Sequence, residues 1–594
     1  MEKIIRIGGA SGFWGDSAIA TPQLLTEPID YLVYDYLAET TMSIMARARA
    51  KDPNFGYATD FVTVTMAQNL QAIASRGVKV LSNAGGLNPA ACRDALLRIA
   101  RVQGIEINIA VVTGDDVMAL LPELRNEGVT DMFSNMPLPE KLHSANAYLG
   151  ARGVAEALRR GAQIVITGRG VDSALLLGAL AHEFQWEWRD WDKLAHASLA
   201  GHIVECGAQG SGGLFTDWEQ VPDWDNIGYP IVECSSDGSF IVTKPANTGG
   251  LVTTATVAEQ ILYEIGNPAE YILPDVICDF RNVKLEDIGE HRVRLTGAVG
   301  HVPTASYKVS ATFQDGYQLE TGLAIRGIDA IVKAQKTADA LLKRTRRMMA
   351  EHGYGDYADS VVEIIGAESL YGPHSRRSDA REVILRIAVR HFDKIALEFM
   401  RRESSSPGTS MSPGTSGALG GGRADIKPVV RLFSCLLDKE RVAVTVELNG
   451  ESIILARGVE AATQWRPHAL ESTQSNPLPP VQDKTIIVPL LRIAHGRSGD
   501  KGDDSNIGVI ARNPQIWPWL RENLTAEKVA AYMAHVAKGK VERYELPGIT
   551  ALNFVLHQAL GGGGMASLQS DPLGKCYAQI LLEMPVEVPV AWVG

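Results

Sequence analysis

Short apolar runs that deliver the chain into polar, glycine-rich turns recur through the first 175 residues. Residues 4–7 lead into Gly8-Gly9-Ala10-Ser11-Gly12, and residues 78–81 lead into Ser82-Asn83-Ala84-Gly85-Gly86. Residues 107–112 lead into Thr113-Gly114-Asp115-Asp116, and residues 163–166 into Thr167-Gly168-Arg169-Gly170. A fifth run, 31–36, carries Asp35 near its end. Near-continuous apolar runs of this length are the mark of strands covered on both faces. Between them, residues 66–74, 90–101 and 152–160 space their apolar positions as helices do. Strand, turn, helix, strand is βαβ grammar, so the expectation is an α/β fold with a parallel sheet. In such sheets ligands sit beyond the carboxyl ends of the strands, where these glycines and acids fall.

The texture changes after about residue 275. From there to about 460, alternating runs such as 292–295 and 442–446 surround a long helical stretch near 330–352. The division expected is therefore an N-terminal domain over 1–466, with a subdivision near 275. A Pro-rich linker at 467–483, containing Asn476-Pro477-Leu478-Pro479-Pro480, leads to a small domain over 484–594. That last part reads strand, polar loop, strand (485–510), helix (525–537), then strand, helix and strand, which predicts a small α+β sandwich. Residues 403–423, rich in Ser, Gly, Pro and Thr, have the composition of a flexible loop.

Composition narrows the functional classes. With 594 residues, 45% hydrophobic and 21% charged, the chain is long enough for two or more cores. A net charge of -12 argues against non-specific nucleic-acid binding. No apolar stretch approaches the roughly 20 residues of a membrane helix, and Met1-Glu2-Lys3 runs straight into the first strand without a leader. Six cysteines lie far apart without a CxxC pair, as in a reduced, cytoplasmic protein lacking a zinc knuckle.

Candidate chemistry concentrates in three places. At the strand ends, Gly9, Ser11, Gly12, Asn83, Gly85, Gly86, Gly114 and Arg169 are candidates for binding a ligand, their turns forming anion nests. The alternative is that the glycines only permit tight turns. The opening turn fails the dinucleotide spacing, and no Walker lysine follows it. Asp16, Asp35, Glu39, Asp115, Asp116 and Asp172 cluster there too. Converging carboxylates can divide acid and base work or hold a magnesium-like ion, although helix capping also explains acids at such positions. The second place is the segment from His196 to Gly213, which offers His202 and Cys206 as catalytic candidates with Gln209 and Ser211 as ligand donors. Cys206 is expected at a helix carboxyl end, which disfavours the thiolate, so it shapes the pocket in this reading without acting as nucleophile. The third is the polar stretch 495–506, with Arg497, Asp500, Lys501 and Asn506 suited to a carboxylate or phosphate; the glycine run 561–564 is placed to approach the same ligand.

As a set, GGASGFWGDS, DYLVYDYLAETTMSI, SNAGGLNP, TGRGVDSALLLG, ECGAQGSGG with FTDWE, DGSFIVTKPANTGG and AHGRSGDKGDDSNIGV resemble the acyclic terpene utilisation (AtuA) family. The resemblance runs from Ile5 to about Ala578, and SMSPGTSGALGGGR shares it, which weakens the linker reading of 403–423. It implies a large N-terminal domain and a small ferredoxin-like C-terminal domain. It also implies a setting, the bacterial or fungal breakdown of citronellol- and geraniol-type terpenoids through coenzyme A thioesters. Two functions are compatible with it. One is a lyase or hydratase acting on a branched, 3-hydroxyglutaryl-type acyl-CoA, in which a carboxylate takes a proton and glycine-loop amides hold the oxyanion. Known lyases for such esters use a TIM barrel with a metal on His and Asp, and this chain shows neither the HxH pair nor the barrel repeats, so the metal requirement stays open. The other is a non-catalytic acyl- or CoA-binding or scaffolding subunit. Either way the strand-end turns are expected to face one cleft lined by Asp16, Asp35, Asp172 and Gln209. The 495–506 stretch is expected to close over it in a homodimer or larger homo-oligomer.

Overall fold

A computed structural model describes residues 3–418, 422–456 and 484–593; the Pro-rich stretch 467–483 lies outside the described residues. Five strands form the parallel centre of an eleven-stranded sheet. β1 (Ile5–Ser11), β2 (Tyr31–Tyr34), β3 (Lys79–Ser82) and β4 (Ile109–Thr113) come from the runs at 4–7, 31–36, 78–81 and 107–112, β5 (Ser144–Ala147) leaves for another sheet, and β6 (Ile164–Thr167), from the run at 163–166, returns between β3 and β4. The spatial order of the parallel centre is β1-β2-β3-β6-β4.

Alternation explains why these runs need two apolar faces. Tyr31, Val33, Leu81, Ala110 and Val165 enter one core, and Leu32, Tyr34, Val80, Ile109, Ile164 and Ile166 enter the other. The helices between them have sequence-encoded starts. Pro89–Val102 begins with Pro at its first position, and the side chain of its N-cap Asn88 accepts from the Ala91 amide at 3.4 Å. Thr254–Leu262 starts with a capping box at Thr253.

The change of texture near residue 275 does not separate the sheets. The large sheet takes edge strands Lys284–Gly289, Arg292–Thr296, Thr445–Leu448 and Glu451–Ile454 from beyond that point, all antiparallel to their neighbours. In exchange β5 pairs with the 21-residue strand Ser306–Arg326, the spine of an antiparallel sheet. That sheet packs on the helix Ala330–Glu351. The described part of 403–423 is structured as well: a short helix, Pro407–Ser410, precedes the strand Thr415–Ala418, which pairs with the spine strand.

The small domain is a four-stranded antiparallel sheet in the order Ala494–Lys501, Asp504–Ala511, Ala551–Leu556, Val541–Leu546. Helices Ala526–Tyr532 and Tyr577–Leu582 cover it. One expectation is corrected here. The stretch 495–506 is no loop; it is two paired strands joined at Gly502-Asp503. His495, Arg497 and Asn506 are buried there because the large domain supplies partners for them, which composition alone cannot reveal. Ile510, Leu546, Ile549 and Ala551 belong to the same apolar core as the large sheet, so the two parts share a core.

Candidate functional site

Five strand ends bring their side chains to one place. Asp35 follows β2, and its Oδ1 accepts from the Asn83 Nδ2 beyond β3 at 2.6 Å and from the Leu37 amide at 3.2 Å. Asn83 is itself held, its Oδ1 accepting from the Tyr36 amide at 2.8 Å. Ser11, at the end of β1, donates to the Asp35 carbonyl at 2.9 Å. Beyond β4, Asp115 accepts from the Arg169 amide at 2.9 Å and from Asn146 at 2.8 Å, which ties the ends of β4, β5 and β6 together. Gly168 is required for this: a Cβ there would lie 2.4 Å from Asp115 Oδ1. The Arg169 guanidinium is 95% buried, pairs with Asp172 at 2.6 Å and donates to the Leu37 carbonyl at 3.1 Å. Its Cζ lies 4.4 Å from the centre of the Tyr148 ring. Asn83, Thr167, Arg169 and Leu149 line a narrow pocket here.

Burial, reinforced by the charge of Asp172, pushes the Asp35 carboxyl well above the usual carboxylate range, against the pull of Asn83 and Arg169. Burial raises Asp115 to about 6 despite its hydrogen bonds. Glu39, at the head of the helix Glu39–Lys51, goes the other way: burial is outweighed by Arg169, Lys308 and the Tyr148 hydroxyl, which hold it at about 2. Asp35 and Glu39 are thus shifted in opposite directions, the pattern of sites that divide acid from base work.

The helix Trp191–Val204 ends beside this group. His202 Nδ1 meets Glu205 Oε1 at 2.9 Å and its Nε2 faces the Ile261 carbonyl at 3.3 Å, while Glu205 Oε2 is buried without a partner. Burial and the neighbouring Glu205 and Glu264 push the Cys206 thiol well above its ordinary value, which disfavours the thiolate. Tyr271 packs edge-on against His202 at 5.7 Å.

The small domain covers the same edge within one chain. Gly496 and Thr216 exchange hydrogen bonds at 3.0 Å, and Asp217 pairs with His495 and Arg512. Lys575 binds Glu264 and Asp500, each at 2.9 Å, and also Tyr263. Lys501 lies 5.9 Å from the centre of the Tyr271 ring.

Not every candidate faces the group around Arg169. Asp16 accepts from the Gly12 amide at 2.9 Å and from the Tyr229 hydroxyl at 2.7 Å, closing its own turn. Gln209 is bonded to Arg497, which also donates to the Leu214 carbonyl at 2.9 Å. Asn506 joins Leu262, Glu264 and Asn553, and Ser211 is bonded to the Gly228 carbonyl. The glycines are occupied by the protein itself. A Cβ on Gly9 would lie 2.6 Å from the Val204 carbonyl oxygen and one on Gly12 2.5 Å from the Cys206 backbone. Gly85, Gly86 and Gly114 meet Thr167, Met45 and Ala443 as closely. The amides of Gly9 and Gly86 already bond to Pro230 and Asn83 carbonyls. The expected nests are therefore packing joints at these positions. Among the described residues no group of three or more His, Cys, Asp or Glu is placed to hold a metal ion, and no helix is long and apolar enough to cross a membrane.

Sequence reasoning missed Tyr148, Lys308, Glu205, Glu264, Tyr271 and Lys575 as members of this group. Only Glu205, in the helical run with His202, carried a local signal.

The molecule is thus a two-part α/β protein whose parallel strand ends, capped by a small α+β domain, gather a buried acid, an arginine and further charged groups into one junction. A family model described as acyclic terpene utilisation family protein AtuA matches residues 5–448, and the AtuA ferredoxin-like domain matches 488–587. The chain belongs to the AtuA family, which is implicated in acyclic terpene utilisation. No curated protein and no solved structure matches it.

Proposed function

We propose that the protein is an enzyme of acyclic terpenoid breakdown that acts on a branched 3-hydroxyacyl-CoA or the related acid, adding or removing water or cleaving the chain beside the hydroxyl. The observation that carries this reading is Asp35. Its Oδ1 is fixed by two donors, burial raises its pKa well above the usual carboxylate range at the carboxyl end of β2, and its Oδ2 accepts no hydrogen bond from the described residues. An acid so placed offers a proton in a fixed direction. In dehydration, Asp172 takes the proton from the carbon next to the thioester, Asp35 protonates the departing hydroxyl, and water leaves as the double bond forms. Arg169, which uses Nη1 on Leu37 and Asp172, faces the carbonyl oxygen with its remaining donors. Because the amides of Gly9, Gly12 and Gly86 are occupied, the oxyanion role passes from them to this guanidinium. In chain cleavage the same groups serve: the base takes the hydroxyl proton, and the acid protonates the carbon released.

A second reading, a non-catalytic acyl- or CoA-binding subunit, is favoured by that same occupation of the turns by the protein's own backbone. Incubation with 3-hydroxy and 2-enoyl branched acyl-CoAs, followed by mass spectrometry, separates the two. Interconversion or cleavage that falls at least a hundredfold in Asp35→Asn supports the enzyme. Binding without turnover of any thioester supports the subunit.

A further inference from the structure

Around the domain junction nearly every charged side chain has a hydrogen-bonded partner within the chain. Arg169 holds Asp172, Lys575 holds Glu264 and Asp500, His202 holds Glu205, and Glu39 is taken by the Tyr148 hydroxyl. Two ammonium groups stand apart. Lys308, on the spine strand, lies 5.4 Å from the centre of the Tyr148 ring and 5.9 Å from that of Phe133. Lys501, at the end of the small domain's first strand, lies over Tyr271. Neither donates a hydrogen bond or forms an ion pair among the described residues. Lys308 is only partly exposed, and backbone pairing fixes it beside Tyr148, whose amide donates to the Lys308 carbonyl at 2.9 Å. Arg169 lies on the same Tyr148 ring. Lys308 and Arg169 thus share one ring of the large domain, Lys501 stands exposed on the small domain's side of the junction, and no carboxylate is bonded to either lysine among the described residues.

Burial draws the Lys308 ammonium below its ordinary pKa against the pull of Glu39, and the charges of Lys501 and Arg169 depress it further. A surface lysine alone would be solvated and unremarked. Two repelling ammonium groups, one of them half-buried against aromatic rings, are stabilised by an anion placed between them.

We propose that Lys308 and Lys501, backed by Arg169, form an anion clamp across the junction of the two domains, which takes a carboxylate or phosphate of the ligand away from the reacting carbon. The clamp rests on the site reading above, since it assumes that the ligand enters at these strand ends. Occupancy joins the small domain to the large one, so ligand binding and domain docking strengthen together.

The test uses the full chain and unreactive probes: inorganic pyrophosphate, coenzyme A, a branched monocarboxylate, and a 3-hydroxy-dicarboxylate of similar length. Binding is measured by calorimetry and by the rise of the melting midpoint. At least one probe binds saturably to the wild type, and Lys308→Met and Lys501→Met each weaken it about tenfold or more. The exposed Lys284→Met leaves it unchanged, and Lys308→Arg restores most of it. A ranking with coenzyme A and pyrophosphate first assigns the clamp to phosphate, and one with the dicarboxylate first assigns it to carboxylate. The clamp is overturned if no probe binds, or if the best probe binds Lys308→Met and Lys501→Met as it binds wild type. Turnover of a thioester with unchanged kinetics in both variants would sink the clamp and leave the enzyme reading standing; saturable clamp binding without turnover would do the reverse.

Discussion

Glu259 is the carboxyl whose titration should govern how firmly the two domains hold together. It lies on the helix Thr254–Leu262, 2% exposed, and its Oε1 accepts from the Thr216 amide at 3.1 Å. Thr216 in turn exchanges hydrogen bonds with Gly496 of the small domain. Burial pushes the carboxyl to about 7, against the hydrogen bond from Thr216 and the charge of Arg497, and Oε2 has no partner. The folded protein therefore keeps a proton that the unfolded chain releases near 4.5. Stability from this group is fully present below about 4.5 and is lost as pH rises through 7. At about 1.4 kcal/mol for each pH unit, that interval is worth on the order of 3 kcal/mol. Glu259→Gln keeps the acceptor for Thr216 and removes the titration. In urea unfolding followed by tryptophan fluorescence, the variant should match wild type within about 1 kcal/mol at pH 5 and exceed it by about 2–3 kcal/mol at pH 8. A difference between the two proteins that stays constant from pH 5 to pH 8 would refute the assignment of a buried, protonated Glu259.

Other perturbations separate structural from chemical roles. Asp35→Asn replaces a protonated acid by a neutral isostere, so the melting midpoint should hold while thioester turnover falls by roughly 10²–10⁴; parallel loss of both would make Asp35 a structural residue. Arg497→Met leaves Gln209 and the Leu214 carbonyl without their donor and should cost about 2–4 kcal/mol in denaturant titration, and an unchanged midpoint would show that this docking bond is dispensable. Cys206→Ser should keep ligand affinity and a measurable rate, and iodoacetamide at pH 8 should label Cys206 at least about tenfold more slowly than a free thiol; trapping of an acyl group on Cys206 would contradict this. Removal of the chain after Asp483 uncovers the core that Ile510, Leu546, Ile549 and Ala551 complete, so the truncated protein should melt lower and lose affinity for acyl-CoA. Affinity equal to that of the full chain would show that the small domain contributes nothing to the site.

The parts of the site that could be read from the chain are those fixed by local rules. Asp35, Asn83, Asp115 and Arg169 each follow the end of a strand by one or two residues, and parallel pairing carries all four to the same edge. The strands and the major helices follow from periodicity for the same reason. What could not be read depends on pairing at a distance. Lys308 sits in a run whose alternation gives it no distinction; its role comes from the register that sets Val309 opposite Ala147 and so brings Lys308 beside Tyr148. Glu264, Lys575 and Asp500 meet only because the small domain docks where it does. The glycines show the ambiguity most sharply. A position that needs no side chain reads alike whether a ligand or the chain's own helix comes close, and at Gly9 and Gly12 it is the end of the His202 helix that arrives. The polar hairpin reverses the usual inference as well, since Arg497, Ser498 and Asn506 look solvated in sequence and are buried once Leu262, Glu264 and Gln209 are opposite them. Local chemistry thus placed the acid and the arginine, whereas the small domain's docking, invisible in any single segment, decides which cations remain free for a ligand.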